Sequence, residues 1–161
     1  MNITIQKAKE SDFEAIYDIF REVISTGEFY IYEADTTFDE AYQILMVNTI
    51  VYVARFDEKI VGFYLIRQNK VGRGSHVCNA AYMVHKDYRR QHIGQQMCES
   101  SLKEARKMGY EAMQFNIVVS TNHKAVALWM KMGFEVVGTI PKAFDHAKLG
   151  KVDAYVMHRF L

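Results

Sequence analysis

A strand, a basic loop and a helix follow one another across residues 83–96, and this succession constrains the fold more than any other feature of the chain. The apolar strand ends at Val84 and the helix begins near Ile93. The loop between them carries Arg89 and Arg90. The first turn of a helix has unpaired backbone N–H groups and the positive end of the helix dipole. The pattern predicts a site for a pyrophosphate, although a solvated basic turn would have the same composition.

The rest of the chain predicts a mixed α/β sheet in a single domain, residues 1–161. Half of the 161 residues are apolar, which is enough for one core. Alternating apolar residues indicate strands, and apolar residues three and four positions apart indicate helices. Capping-box patterns at Ser11 and Thr37 precede the first two helices. The predicted strands are 3–8, 50–54, 60–66, 76–84, 111–119, 134–138 and 152–159, and the predicted helices begin near residues 13, 38, 93 and 123.

Charge and composition exclude several classes of function. The net charge is +1, and the basic residues are dispersed apart from the loop, so we expect no nucleic-acid partner. No apolar run is long enough for a signal sequence or a transmembrane helix, so we expect a cytoplasmic protein with no membrane partner. Cys78 and Cys98 lack the spacing of a zinc or redox motif. They are expected to be free, buried thiols, and no metal site is predicted.

A second motif is the run NHKAVALWMKMGF at residues 122–134. Together with the loop RRQHIG at residues 89–94, it resembles the GCN5-related N-acetyltransferases. The loop pattern of that family is Gln or Arg, two residues, Gly, one residue, then Gly or Ala, and its later run has Tyr where this chain has Trp129. His92 stands at the first Gly of the loop pattern, so it must adopt a backbone conformation that Gly adopts more easily.

The resemblance covers essentially the whole chain and implies a fold, a cosubstrate and a reaction. The implied fold is a mixed, mostly antiparallel sheet of six to seven strands with helices on both faces and splayed central strands. The implied cosubstrate is acetyl-CoA, whose pantetheine arm would pair with the strand before the loop. Acetyl transfer would be direct, in a ternary complex. The implied cofactor-binding residues are Met83, Val84, Arg89, Arg90, Gln91, His92, Ile93, Gly94, Gln95, Asn122 and Trp129.

The groups that move protons are harder to assign from the sequence. An indole N–H only donates hydrogen bonds, so Trp129 is not the general acid that the family's Tyr provides. Asn122, an expected helix N-cap, is the best remaining group to polarise the departing sulfur and is the predicted catalytic residue. No carboxylate lies on the strand before the loop. Three routes for deprotonating the amine therefore stay open, namely His76 acting through water, a water relay, and prior deprotonation of the amine. The backbone N–H near Val84 is expected to stabilise the oxyanion.

Three polar residues are candidates for binding the acceptor. Asn79 and Asn116 interrupt apolar strands, where a buried amide needs partners. Each forms either a cross-strand hydrogen bond or part of the acceptor site. We favour the acceptor site, because Asn is a poor strand former. Tyr30 belongs to the aromatic segment 27–35. In the family that the chain resembles, this segment is the variable lid over the acceptor. A connector packed on the sheet would have the same composition.

The acceptor is expected to be a small amine or amino acid, because the lid is aromatic and no acidic groove is available for a basic tail. The combination of the two strand asparagines with Trp129 also looks like the branch of the family that acetylates proline analogues such as azetidine-2-carboxylate. Two alternatives stay open. One is a protein or peptide N-acetyltransferase, and the other is an acyl-CoA-binding module without catalysis. The sequence also leaves a homodimer open.

Overall fold

Seven strands form one sheet in the computed structural model, which describes residues 2–161. The strands are β1 (Thr4–Lys7), β2 (Ile50–Phe56), β3 (Lys59–Gln68), β4 (Val77–Val84), β5 (Ala112–Val119), β6 (Glu135–His146) and β7 (Gly150–Phe160). The helices are α1 (Phe13–Ile24), α2 (Phe38–Met46), α3 (Ile93–Lys107) and α4 (His123–Lys131). The strand order is β1-β2-β3-β4-β5-β7-β6, and only β4 and β5 are parallel neighbours in this described sheet. The predicted fold class is confirmed.

Helices cover both faces of the sheet. Side chains alternate between the two faces along a strand, so β4 contributes to both cores. Ala80 and Tyr82 pack in the core beneath α3 and α4, whereas Met83 packs in the core beneath α1 and α2. None of the helices within residues 2–161 is long and apolar enough to span a membrane. Strand β4 therefore connects the two sides of the molecule.

The two predicted helix caps have different outcomes. Thr37 caps α2 as expected, since its hydroxyl accepts the Glu40 N–H at 3.2 Å and the Glu40 carboxylate accepts the Thr37 N–H at 2.8 Å. The prediction that Ser11 caps α1 is wrong. The Asp12 carboxylate instead accepts the backbone N–H of Lys9 at 2.9 Å, and α1 begins one residue later. An acidic side chain takes this position because it can satisfy an unpaired N–H and also pair with Arg55 on β2.

The β6–β7 hairpin is longer than predicted. The sequence indicated strands at 134–138 and 152–159, but the two strands continue to within four residues of each other. Pro141 obscured the pattern, because proline lacks an N–H and is rare inside sheets. It is accommodated here because β6 is an edge strand whose register with β7 shifts between Ile140 and Phe144.

The central strands β4 and β5 splay apart, as the resemblance implied. They pair only at Val77 with Ala112 and at Cys78 with Met113. At the next residue the side-chain amide of Asn79 donates to the C=O of Gln114 on β5 at 3.0 Å. This side chain takes the place of a ladder hydrogen bond where the two strands separate. Beyond it the sheet contains an open gap.

Candidate active site

A cavity of about 960 Å³ fills the gap between β4 and β5. Its lining comes from both faces of the sheet, with Leu128 and Trp129 on one side and Val23 and Met83 on the other. We call the part beside the basic loop, residues 89–95, the loop end. The part lined by Val23, Phe29, Tyr30 and Ala81 is the connector end, after the connector between α1 and α2, residues 25–37.

Two left-handed residues shape the loop end. Arg90 has φ 63° and His92 has φ 60°, so the predicted conformation at His92 is found. The C=O of His92 accepts the N–H of Gln96 at 3.1 Å, and α3 begins at the next residue, Ile93. The first N–H groups of a helix have no partner within it. Since residues 93–95 line the cavity, these donors and the helix dipole lie at its wall.

Arg89 is held in place by a residue from a distant helix. Its Nη2 lies 3.1 Å from Oε1 of Glu22 on α1, 67 residues earlier, and its Nε donates to the C=O of Val84 at 3.3 Å. The other oxygen of Glu22 accepts the backbone N–H of Lys86 at 3.4 Å. Glu22 therefore ties the loop to α1. No local sequence signal could have indicated this pairing.

Helix α4 adds positive charge to the same wall. Lys124 and Lys131 both line the cavity and lie seven residues apart, which places them on one helical face. That spacing was a usable sequence signal. Lys131 also donates to the Gln95 amide oxygen at 3.0 Å, which links α4 to α3. With Arg89 and Arg90, four basic side chains line the cavity, and its lining within the described residues includes no Asp or Glu.

Aromatic rings form the wall of the gap on the α4 side. Trp129 is 9% exposed, and its ring centroid lies 4.9 Å from that of Tyr82 and 5.0 Å from that of Phe115. The Tyr82 hydroxyl lies 2.6 Å from Oγ of Ser101 on α3. Burial holds the pKa of Tyr82 well above its usual value. Tyr82 and Trp129 are therefore packing residues that give the cavity an apolar wall.

Tyr30 reaches from the connector to the edge of β4. Its hydroxyl donates to the C=O of Tyr82 at 2.6 Å and accepts the N–H of the same residue at 3.2 Å. Burial raises the pKa of Tyr30 to about 12. A single phenol thus occupies both backbone groups of one strand residue, as a neighbouring strand would.

The tip of the β6–β7 hairpin holds the connector. The N–H of Ala147 donates to the C=O of Gly27 at 3.0 Å, and Nζ of Lys148 lies 2.7 Å from Oε1 of Glu28. The hydrogen bond from Lys148 lowers the pKa of the Glu28 carboxyl. Gly27 has φ +64°, and a Cβ there would lie 2.8 Å from the Cβ of Ala147. Only glycine meets both conditions without strain.

The structure brings most of the predicted site residues together. Tyr30 and ten of the eleven predicted cofactor-binding residues, Asn122 among them, line the cavity, and Gln91 does not. Asn122 caps α4, where its Oδ1 accepts the N–H of Ala125 at 3.3 Å. Asn79 and Asn116 lie outside the lining. Their amides bond to the Gln114 C=O and, at 2.8 Å, to the Asn69 side chain, which is the structural alternative that the sequence left open.

Comparison with known proteins agrees with this geometry. The model of the acetyltransferase (GNAT) family matches residues 13–134. The chain belongs to this family. A GCN5-related N-acetyltransferase from Kribbella flavida is 36% identical in sequence, with a TM-score of 0.94 over 99% of this chain and 98% of that protein. The predicted family is thereby confirmed.

Two further proteins are similar to this GNAT chain. N-acetyltransferase aca1 of Schizosaccharomyces pombe is 34% identical over 101 residues, which is 60% of this chain and 47% of that protein. The chain thus spans about half the length of this curated relative. The structure of yncA from Salmonella typhimurium, with its cofactor acetyl-CoA, is 22% identical, with a TM-score of 0.84 over 100% of this chain and 95% of that one. At this identity the likeness concerns the fold.

Proposed function

We propose that the chain transfers the acetyl group of acetyl-CoA to the amine of a small amino acid or a related amine, by direct attack in a ternary complex. The continuous cavity carries this proposal. It joins a wall rich in anion-binding groups to an uncharged, aromatic end through a gap in the sheet. A phosphate-bearing donor and a small acceptor can therefore enter from opposite ends and meet inside the gap.

The residues of the loop end fit acetyl-CoA. Backbone N–H groups at the start of α3 would hold the pyrophosphate, and the basic side chains of α4 would add charge. The N–H of His85 donates to Val61 on β3 at 2.9 Å. Because backbone groups alternate along a strand, those of Val84 face the gap and could pair with the pantetheine amides. When bound, the cosubstrate would supply the activated acyl group.

Direct attack agrees with the state of the two thiols. Cys78 and Cys98 are free and buried, as expected, and burial raises the pKa of each to about 12. Neither lines the cavity. A thiol that stays protonated and does not reach the cavity is a poor nucleophile. The amine nitrogen would therefore form its bond with the acyl carbon directly, while the C–S bond breaks and the amine proton passes to the thiolate or to solvent.

Asn122 is the chain's proposed contact to the departing sulfur. The helix cap uses its side-chain oxygen, which leaves the NH₂ group free to donate into the cavity. Trp129 serves as packing. Since no carboxylate lines the cavity within the described residues, deprotonation of the amine falls to water or to equilibrium with solvent.

The lining of the connector end favours a small, apolar acceptor. This end offers aromatic and aliphatic side chains and no Asp or Glu among the described residues, so nothing there would pair with the several positive charges of a polyamine or a basic peptide. An amino acid with a small apolar side chain matches this lining. Azetidine-2-carboxylate, to whose acetyltransferases the sequence is similar, has this character.

A thiol-release assay with acetyl-CoA tests the proposal. We expect turnover with azetidine-2-carboxylate or another small amino acid, and none with a polyamine or a lysine-rich peptide. CoA should also raise the Tm by mass action. A higher Tm without turnover of any amine would indicate an acyl-CoA-binding module instead, and preference for the peptide would indicate a protein acetyltransferase.

A further inference from the structure

Strand β4 turns the backbone groups of Tyr82 and Val84 towards the gap. The N–H of His85 donates to the C=O of Val61 on β3 at 2.9 Å, and the direction of the backbone groups alternates along a strand. The groups of Tyr82 and Val84 therefore face away from β3, beyond the point where pairing with β5 ends. A ligand that lies along β4 can pair with these two residues as an added strand does.

At Tyr82 both backbone groups are already bound by one side chain. The hydroxyl of Tyr30 donates its single proton to the C=O of Tyr82 at 2.6 Å, and the phenol oxygen accepts the N–H of Tyr82 at 3.2 Å. In this arrangement Tyr30 has no proton left for a ligand, and the N–H of Tyr82 is occupied. The Tyr30 hydroxyl fills the place of a ladder partner.

An arm bound along β4 reaches Val84 before Tyr82. The anion-binding groups lie after the C-terminal end of β4, and in CoA the pantetheine amides come between the pyrophosphate and the sulfur. An amide paired at Val84 leaves the acyl carbonyl farther along the strand, and the next residue that faces the gap is about 6.6 Å away. That residue is Tyr82. The acyl oxygen and the phenol oxygen of Tyr30 then compete for the same N–H.

We propose that Tyr30 is a placeholder for the acyl group: its hydroxyl holds the backbone groups of Tyr82 in the free protein, and the carbonyl oxygen of bound acetyl-CoA displaces it from the Tyr82 N–H. This inference rests on the proposed function. The displaced phenol regains a proton to donate at the connector end, where the amine binds. The acceptor site that the sequence predicted at Tyr30 is therefore complete only when an acyl donor is bound.

The connector can release Tyr30 and stay attached to the protein. Before Tyr30, the C=O of Gly27 is held by the tip of the β6–β7 hairpin. After it, the C=O of Thr36 accepts the hydroxyl of Tyr17 on α1 at 3.2 Å. Tyr30 also lines the cavity, so open space lies beside its side chain. Movement of one side chain is enough to free the two backbone groups that it holds.

The displacement should weaken the binding of acetyl-CoA and leave that of CoA unchanged. A ligand that needs a displaced conformer binds more weakly by the fraction of molecules in which its site is open. One intramolecular hydrogen bond changes such an equilibrium by up to about tenfold. CoA has no acyl carbonyl at the level of Tyr82, so it does not compete with Tyr30. The two ligands therefore separate the placeholder from a structural role of Tyr30, which would affect both.

Titration calorimetry with acetyl-CoA and with CoA, without acceptor, tests the proposal. Tyr30→Phe removes the competing oxygen and keeps the ring, so acetyl-CoA should bind about tenfold more tightly, with the Kd for CoA within about twofold. Tyr32→Phe is the matched control, because Tyr32 lies on the same connector and packs its ring 5.4 Å from that of Phe20. It should change neither Kd by more than about twofold. An unchanged or weaker affinity of Tyr30→Phe for acetyl-CoA, or an equal gain for CoA, would overturn the proposal.

Nuclear magnetic resonance of the wild-type protein gives a second measurement, which does not require the variant to fold. The ten tyrosines are labelled with ¹³C at the ring carbon that bears the hydroxyl, so that each signal reports on the hydrogen bonds of one phenol. Acetyl-CoA should shift a tyrosine signal that CoA leaves in place, and the spectrum of Tyr30→Phe should lack that signal. Identical tyrosine spectra with the two ligands would overturn the proposal.

The failure of the proposed function looks different. In that case wild-type protein releases no thiol with any amine, whereas Tyr30→Phe still gains affinity for acetyl-CoA. If wild-type protein turns over normally and Tyr30→Phe binds acetyl-CoA as wild type does, only the role of Tyr30 as a placeholder is lost.

Discussion

The two ends of the cavity are built in different ways. The loop end comes mainly from one contiguous stretch, residues 89–95, and offers backbone N–H groups at the start of a helix. The connector end depends on Tyr30 and Tyr82, which are 52 residues apart in sequence. A site made of local backbone geometry can be found from sequence spacing. A site made of side chains from distant segments needs the tertiary structure.

The two ends also differ in charge. Every Lys and Arg in the lining belongs to the loop end and α4, while the connector end offers aromatic and aliphatic surface and one phenol. The phosphates of CoA are the same in every reaction of this kind, whereas the acceptor varies. Under the proposed function, the loop end would bind this constant cosubstrate and the connector end would select the amine.

The largest expected effect comes from removing the wall that both ends share. Trp129→Ala deletes a large buried ring beside Tyr82 and Phe115, and such deletions cost about 3–5 kcal/mol of unfolding free energy. Urea unfolding measures this loss. Trp129→Phe is the control, and it should keep most of the stability and the activity. If Trp129→Phe instead loses activity at unchanged stability, the indole N–H has a role in catalysis.

Asn79→Ala tests the hydrogen bond at the point where β4 and β5 separate. Its amide donates to the Gln114 C=O in a half-buried position, and the loss of one such hydrogen bond costs about 0.5–1.5 kcal/mol. We expect lower stability in urea unfolding and near-normal kcat/KM in the folded protein. Asn116→Ala, whose amide is exposed, should stay within about 0.5 kcal/mol of wild type. A rise of tenfold in the acceptor KM without loss of stability would support the role in acceptor binding that the sequence suggested.

Arg89→Ala tests whether CoA binding at the loop end also depends on the contact between Arg89 and Glu22 on α1. The variant removes both a positive charge and the tie to Glu22, and we expect CoA to bind about tenfold more weakly, or about 1.4 kcal/mol. Calorimetric titration with CoA measures this. Glu22→Gln keeps the arginine and should weaken binding less. If neither Arg89→Ala nor Arg90→Ala changes the Kd, the loop does not bind the cofactor.

The smallest expected effect is that of His92→Gly. His92 has φ 60°, which glycine adopts freely, and the phosphate contacts are expected from backbone N–H groups. CoA affinity should therefore stay within about threefold, a change of less than 1 kcal/mol. His92→Ala keeps the constraint on the backbone and also lacks the imidazole. A loss above tenfold in both variants would show that the ring itself contacts the cofactor.

Much of the fold followed from local pattern. The hairpin of β2 and β3, the strands β4 and β5 and the helices α3 and α4 all lie close to where periodicity placed them. The misplaced elements have specific causes. Pro141 concealed the length of β6, and Asp12, which precedes α1, pairs with Arg55, 43 residues away in sequence.

For this chain, the sequence by itself determined the family, the class of sheet and the loop that precedes α3. These depend on residues close together in the chain, where spacing translates directly into backbone geometry. The tertiary structure decided that Asn79 bonds across the point where β4 and β5 separate, that Glu22 holds Arg89, and that Tyr30 lies against Tyr82. Each of these contacts joins segments whose separation in sequence carries no signal, because only the packing of the sheet and helices sets the distance between them.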